Sequence, residues 1–155
     1  MENTNIRKEL VVSAIENGTV IDHIPTKSVF RVVKMLNLEL CDEKVTIGYN
    51  LESKKYGKKG IIKVSDHYFK DIDANKISLV APSATLITIK NFQVVSKRQV
   101  EIPDNIEQFV KCVNPNCITN HQQITTKFQV IDKLDLKLQC KYCEKITGKN
   151  NIEIN

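Results

Sequence analysis

CVNPNC at residues 112–117 and CKYC at residues 140–143 place four cysteines in two tight pairs, C-x4-C and C-x2-C, with 22 residues between them. Zinc takes four ligands at tetrahedral corners, and two short loops with a cysteine at each end supply that geometry. Cys112, Cys117, Cys140 and Cys143 are therefore expected to hold one zinc ion. Four thiolates fill every coordination position, so the metal is structural and leaves no open site for catalysis. Two disulfides or four ordinary buried thiols are the alternatives. Disulfides belong to oxidising compartments, whereas the N-terminus, MENTNIRKEL, is charged and lacks the apolar stretch of a secretory signal. A cytoplasmic location is expected. His121 lies four residues beyond Cys117, but with four cysteines present it is expected beside the site and not in it. Cys41, in NLELCDEK, stands apart as a small hydrophobe or free thiol.

Upstream, SKRQVEIPDN at 96–105 interrupts the apolar pattern with charges and Pro103, which suggests a boundary. It separates a domain of residues 1–101 from one of residues 102–155. The first carries 16 Lys and Arg against 12 Asp and Glu, the second 7 against 6. Four thiolates around zinc add a net charge of about −2, so the metal domain is close to neutral or slightly negative. Phosphate backbones require clustered positive charge, and the overall excess of +5 lies mainly in the first domain. A metal domain of roughly 50 residues is too small for a self-sufficient core, which makes a metal staple physically sensible.

The N-terminal domain reads as α+β. Leu10–Ile15 and Thr19–Ile24 are expected strands flanking the turn Asn17-Gly18. Val29, Val32, Val33 and Leu36 recur at helical spacing. Val45, Ile47, Tyr49 and Leu51 alternate with Thr46, Gly48 and Asn50 as in a half-buried strand. A loop ESKKYGKKG follows, and Ile61–Val64 resumes the strand pattern. A second helix is expected within Asp71–Val80, limited by Pro82, and Ala84–Val95 reads as one strand kinked near Lys90-Asn91. The sum is an antiparallel-rich sheet with two helices on one face. Phe128–Ile131, Leu134–Leu138 and Ile152–Ile154 are expected strands around the metal.

His23, Lys63 and Lys97, polar residues set in apolar strands, could form an anion site with Asp22 hydrogen-bonding a hydroxyl or orienting a lysine. Solvated strand ends are the plainer account of the same residues. The phosphate loop G-x-x-x-x-G-K-[ST], the dinucleotide fingerprint G-x-G-x-x-G, G-x-S-x-G and H-E-x-x-H are all missing, so the chain is not expected to be an enzyme. It also lacks the ~18–20 apolar residues of a membrane span.

GTVIDHIP at 18–25, VTIGYNL at 45–51, GKKGIIK at 57–63 and CKYCEK at 140–145, with the cysteine spacing and order, closely resemble segments of the regulatory chain of aspartate carbamoyltransferase. That resemblance runs from about Leu10 to about Ile154. It implies an allosteric domain (1–101) that binds nucleoside triphosphates, with or without magnesium, and a zinc domain (102–155) that docks on the catalytic chain. It further implies homodimers of regulatory chains within a hetero-oligomeric holoenzyme, acting at the start of pyrimidine biosynthesis. Carried over by position, the nucleotide site comprises Val12, Ile15, Val20, Asp22, His23, Lys59, Lys63, Phe92, Val94 and Lys97, and the metal ligands are the four cysteines. Departures lie at VNPN after Cys112, at Ile87 where a polar residue is expected, and at Phe92 where a tyrosine is. They leave open which nucleotide is preferred and whether it inhibits or activates. A zinc-ribbon nucleic-acid-binding protein is the alternative, suggested by a pI near 8.9. The absence of aromatic residues interleaved with Lys and Arg speaks against it.

Overall fold

The computed structural model describes residues 14–55 and 57–155, and the chain divides into two compact units, Met1–Val100 and Glu101–Asn155. Val12 and most of the expected strand Leu10–Ile15 lie outside the described residues. No helix among the described residues is long and apolar enough to cross a membrane.

The first unit is a five-stranded antiparallel sheet in the order β2-β3-β1-β4-β5, with β1 Gly18–Ile24, β2 Val45–Ser53, β3 Gly57–Ser65, β4 Thr85–Lys90 and β5 Gln93–Gln99. Helix α1 (Val29–Met35) follows β1, and α2 (Asp71–Val80) follows β3. The two helices touch each other, and α1 packs on β3. Strand side chains alternate between faces, so the sheet has two distinct sides. Ile21, Ile62 and Val64 point to the helices together with the fully buried Val29, Val32 and Ile77. Each such side chain contributes about 1.5–3 kcal/mol relative to exposure. Close approach is possible because Gly60 carries no side chain where the Val29 methyl sits.

Helix α2 spans the expected residues despite its weak periodicity. Asp71 and Asp73 occupy its first turn, and Asp73 Oδ2 accepts the Lys70 backbone N–H at 3.0 Å. That satisfies one of the unpaired donors at a helix start. Helix α1 is closed by Asn37 in the left-handed region.

Three expectations for this unit differ from the structure. Ala84–Val95 is not one kinked strand but the hairpin β4–β5, because Asn91 and Phe92 both adopt positive φ, 52° and 64°, as a tight two-residue turn requires. ESKKYGKKG is not a long loop: β2 runs to Ser53 and β3 starts at Gly57, so Lys58 and Lys59 are strand residues paired with Glu52 and Leu51. Finally, a bulge at Tyr49-Asn50, with Asn50 at φ 59°, breaks the alternation of β2. It turns Leu51 away from the helices to the opposite face, where it packs with Ile61.

The second unit holds a four-stranded sheet in the order β10-β9-β8-β6, formed by β6 Asn105–Glu107, β8 Lys127–Asp132, β9 Lys137–Cys140 and β10 Ile146–Gly148. A two-stranded sheet pairs β7 (Val110–Lys111) with β11 (Glu153–Ile154). Its buried side chains include Ile106, Phe109, Val110, Phe128 and Leu138. Of the expected strands, Leu134–Leu138 is shifted: residues 133–136 form the turn, where Asp132 Oδ1 accepts the N–H groups of Leu134 and Asp135 at 3.0 Å each.

Gly18 begins β1 at φ 138°, and a Cβ there would collide with the Val64 carbonyl oxygen. Gly18→Ala is expected to cost the first unit about 3 kcal/mol, combining backbone strain with overpacking against a main-chain atom. Chemical denaturation followed by a probe within residues 14–100 measures it.

Candidate functional site

Each cysteine of the second unit is held by its local turn. Cys112 directly follows β7. Asn114 opens a turn through Pro115 and Asn116 that closes when the Cys117 N–H donates to the Asn114 carbonyl at 3.0 Å. Proline in second position presets such a turn. Cys140 ends β9, and its sulfur accepts the Tyr142 backbone N–H at 3.4 Å. Glu144, at φ 65°, then reverses the chain, its N–H bonded to the Cys140 carbonyl.

These turns bring all four sulfurs within 4.8 Å of one another, with Cys112, Cys117 and Cys140 buried and Cys143 half-buried. Cys112 and Cys143 Sγ lie 3.6 Å apart, and Cys117 and Cys140 Sγ 3.8 Å apart. No cysteine is disulfide-bonded. A tetrahedron with metal–sulfur bonds of about 2.3 Å has edges of roughly 3.8 Å, so the donor set and spacing fit a four-thiolate metal centre. His121 is not part of this cluster. Cys41 is a half-buried free thiol whose sulfur accepts the Glu43 N–H at 3.4 Å.

Without a cation, Cys112 and Cys140 resist ionisation. Burial, and after it the neighbouring cysteines, push the Cys112 thiol up to about 12 against the lowering effect of the Asn114 N–H. Burial likewise raises Cys140. For Cys143, burial is outweighed by hydrogen bonds from the Asn114 side chain, the Lys145 backbone and the adjacent thiols, which bring it down to about 7.

The first unit has its polar convergence on the sheet face that no helix among the described residues covers. Cross-strand partners share a face. Lys63 of β3 pairs with Val20 of β1, Val20 with Ile87 of β4, and Ile87 with Lys97 of β5. Two lysines thus flank two apolar residues in one row across the sheet. The next residue of β1 on this face is Asp22, whose carboxylate meets the Lys59 ammonium at 2.9 Å. Val20 packs in this face with Ile15, Ile61 and Ile89, and Leu51 and Ile87 lie against them. Val94 pairs with Ile89 and belongs to the same face. Phe92 sits in the turn beyond, 64% exposed, its N–H bonded to the Glu16 carbonyl at 2.8 Å.

Lys63 is only 8% exposed. Burial holds its ammonium below the ordinary lysine value, partly offset by the Asp22 carboxylate. An anion placed here would favour the charged form. His23 adopts φ 56° where β1 bulges, and its Nδ1 lies 3.1 Å from Thr85 Oγ1. Thr85, opposite Asp22, and the floor residues Ile61 and Ile89 were not singled out from the sequence as site residues. Register, which composition does not reveal, puts them there.

Comparison with known proteins now bears directly on the chain. The family described as "Aspartate carbamoyltransferase regulatory chain, allosteric domain" matches residues 10–101, and "Aspartate carbamoyltransferase regulatory chain, metal binding domain" matches residues 104–153. The chain belongs to the aspartate carbamoyltransferase regulatory chain family. A regulatory chain from Bacteroides fragilis is 49% identical over 148 residues, covering 96% of this chain and 97% of that one. One from Thermococcus sibiricus is 47% identical over 148 residues (96% and 98%), and one from Pyrococcus horikoshii 47% over 149 (95% and 98%). As a regulatory chain it is not the catalytic one, and the nucleic-acid-binding alternative is set aside. The four cysteines fall in the match for the metal-binding domain, and the open sheet face falls in the match for the allosteric domain.

A metal must displace the protons that Cys112 and Cys140 otherwise keep at neutral pH. Metal affinity is therefore expected to rise with pH, by about 100-fold per unit near pH 8 from these two thiols alone. Competition with a chelator of known protonation behaviour measures the slope. Stripping the metal is expected to expose the amides of residues 104–153 to hydrogen exchange while those of β1, β3 and β4 keep their protection.

Proposed function

We propose that this chain binds nucleoside triphosphates on the open face of its five-stranded sheet and holds one structural zinc through Cys112, Cys117, Cys140 and Cys143. It does so in the cytoplasm, docked through the metal domain (residues 102–155) on the catalytic chain of aspartate carbamoyltransferase. The observation that carries the nucleotide assignment is the row Lys63, Val20, Ile87 and Lys97, with the Asp22–Lys59 pair alongside. Its apolar centre suits a base, and its lysines suit a flexible polyphosphate. Asp22 is placed to accept a hydroxyl or to hold Lys59, and His23 to donate or accept beside Thr85. Ile15, Val20, Phe92 and Val94 would supply apolar and main-chain contacts, and Val12 belongs to the same proposed set. The binding domain is residues 1–101. Regulatory chains would pair as homodimers, for which the edge strand β2 offers the exposed Ile47 and Tyr49, with Phe30 5.5 Å from the Tyr49 ring.

Binding on this face can bias a distant active site only if the nucleotide prefers one of two holoenzyme states. Saturating triphosphate is expected to shift the holoenzyme's aspartate saturation curve several-fold, a coupling of about 1–3 kcal/mol. An unmoved curve with CTP, UTP and ATP alike would leave the chain a structural linker. Lys63→Ala is expected to weaken triphosphate binding by about 1.5–3 kcal/mol, because a buried charge-assisted contact is lost. Lys97→Ala is expected to cost about 1 kcal/mol or less, because that side chain is exposed. Calorimetry at fixed salt and magnesium separates the two, and wild-type affinity in both variants counts against the assignment.

A further inference from the structure

The two cysteine loops are held in different ways. In the C-x2-C loop, the Cys140 sulfur receives backbone N–H groups from Tyr142 and Cys143, so the loop is tied internally. The C-x4-C loop is two residues longer, and within it the Cys112 sulfur receives the Asn114 N–H. The Asn116 and Cys117 N–H groups turn back on Asn114, and one further hold comes from outside the loop. Asn120, at the end of the short 3-10 turn Ile118–Asn120, lies with its side-chain nitrogen 3.0 Å from the Cys112 carbonyl and 2.7 Å from the Asn114 carbonyl.

Both partners are carbonyl oxygens, which can only accept, so the amide must present its NH2 and use both hydrogens. The side chain of Asn114 completes the link. Its Oδ1 accepts the Asn116 N–H at 3.0 Å, and its amide donates to the Cys143 sulfur in the other loop. A chain of contacts thus runs from Asn120 through Asn114 to Cys143. The hydroxyl of Thr119, 3.1 Å from the Cys117 sulfur, can act only as donor once that sulfur is a metal-bound thiolate.

We propose that Asn120 is a positioning residue of the metal centre: its amide clamps the longer cysteine loop, so that Asn114 braces the sulfur of Cys143 on the other. This rests on the four cysteines being the zinc site. Groups that orient metal ligands commonly alter metal affinity by about 10–100-fold when removed. Asn120→Asp is the sharper probe, because it keeps the shape but sets an acceptor against two carbonyl oxygens.

The test uses the full-length chain as wild type, Asn120→Ala, Asn120→Asp and Asn114→Ala, loaded with zinc or with Co2+. Zinc affinity is read by competition with a chelating dye, and the ligand field by the cobalt absorption bands. Expected results are at least a tenfold weaker affinity for Asn120→Ala, a larger loss for Asn120→Asp, and cobalt bands shifted from wild type in both. Asn114→Ala should shift the bands in the same direction, and combining it with Asn120→Ala should add little further loss. Should an Asn120 variant fail to fold, Asn114→Ala alone carries the test, and wild-type bands in it overturn the brace. Wild-type affinity and unshifted bands in every variant overturn the clamp. A wild-type chain that takes up neither metal overturns the zinc assignment itself, before any variant is needed.

Discussion

A sheet covered by helices on one face only must leave the other to something else. In the first unit that asymmetry follows from β1, which lies between β3 and β4 and has no free edge. Ile21 faces the helices, while Val20 and Asp22 face outward. Through the pairings of β1, the same alternation puts Ile62 and Val64 with Ile21 and puts Lys63 with Val20. A slip of one residue would send Lys63 into the helix-packed core and Ile62 out of it. The burial that stabilises the unit therefore also orients the polar row.

In the second unit the governing term is electrostatic. Four sulfurs within 4.8 Å of one another cannot all be anionic without a cation among them, and burial raises two of the thiols further. The apolar core around Phe128 and Leu138 is small. Metal binding is then part of the folding free energy and not an addition to a finished domain. Backbone donors to sulfur in both loops are the means by which short turns hold so much charge in place.

Much of this was legible in the sequence. The cysteine spacing announced the cluster, and the apolar periodicity announced both helices, even α2, whose pattern is weak but whose end is fixed by Pro82. What stayed hidden depends on single backbone conformations. TLITIKNFQVVSK marks a kink near Lys90-Asn91 but not a full reversal, because phenylalanine at positive φ goes against local preference. Strain of that kind collects at functional sites, and Phe92 was assigned there from resemblance alone. The bulge at Asn50 likewise moved Leu51 to the opposite face, a change of side that residue types do not encode. Lys59, Lys63, Asp22 and Lys97 could be named from the sequence, but only the register shows Lys63 and Lys97 flanking a shared apolar row.

Every residue of β5 is exposed, and among the described residues the strand forms one border of the sheet. A border strand carrying Val94 and Val95 is an invitation to edge-to-edge stacking with other chains. Lys97 and Arg98 interrupt that border with positive charge, and charged side chains on an edge are a common device against such stacking. Removing Lys97 takes one of these charges off the border, so a substitution there that spares the fold can still cost solubility.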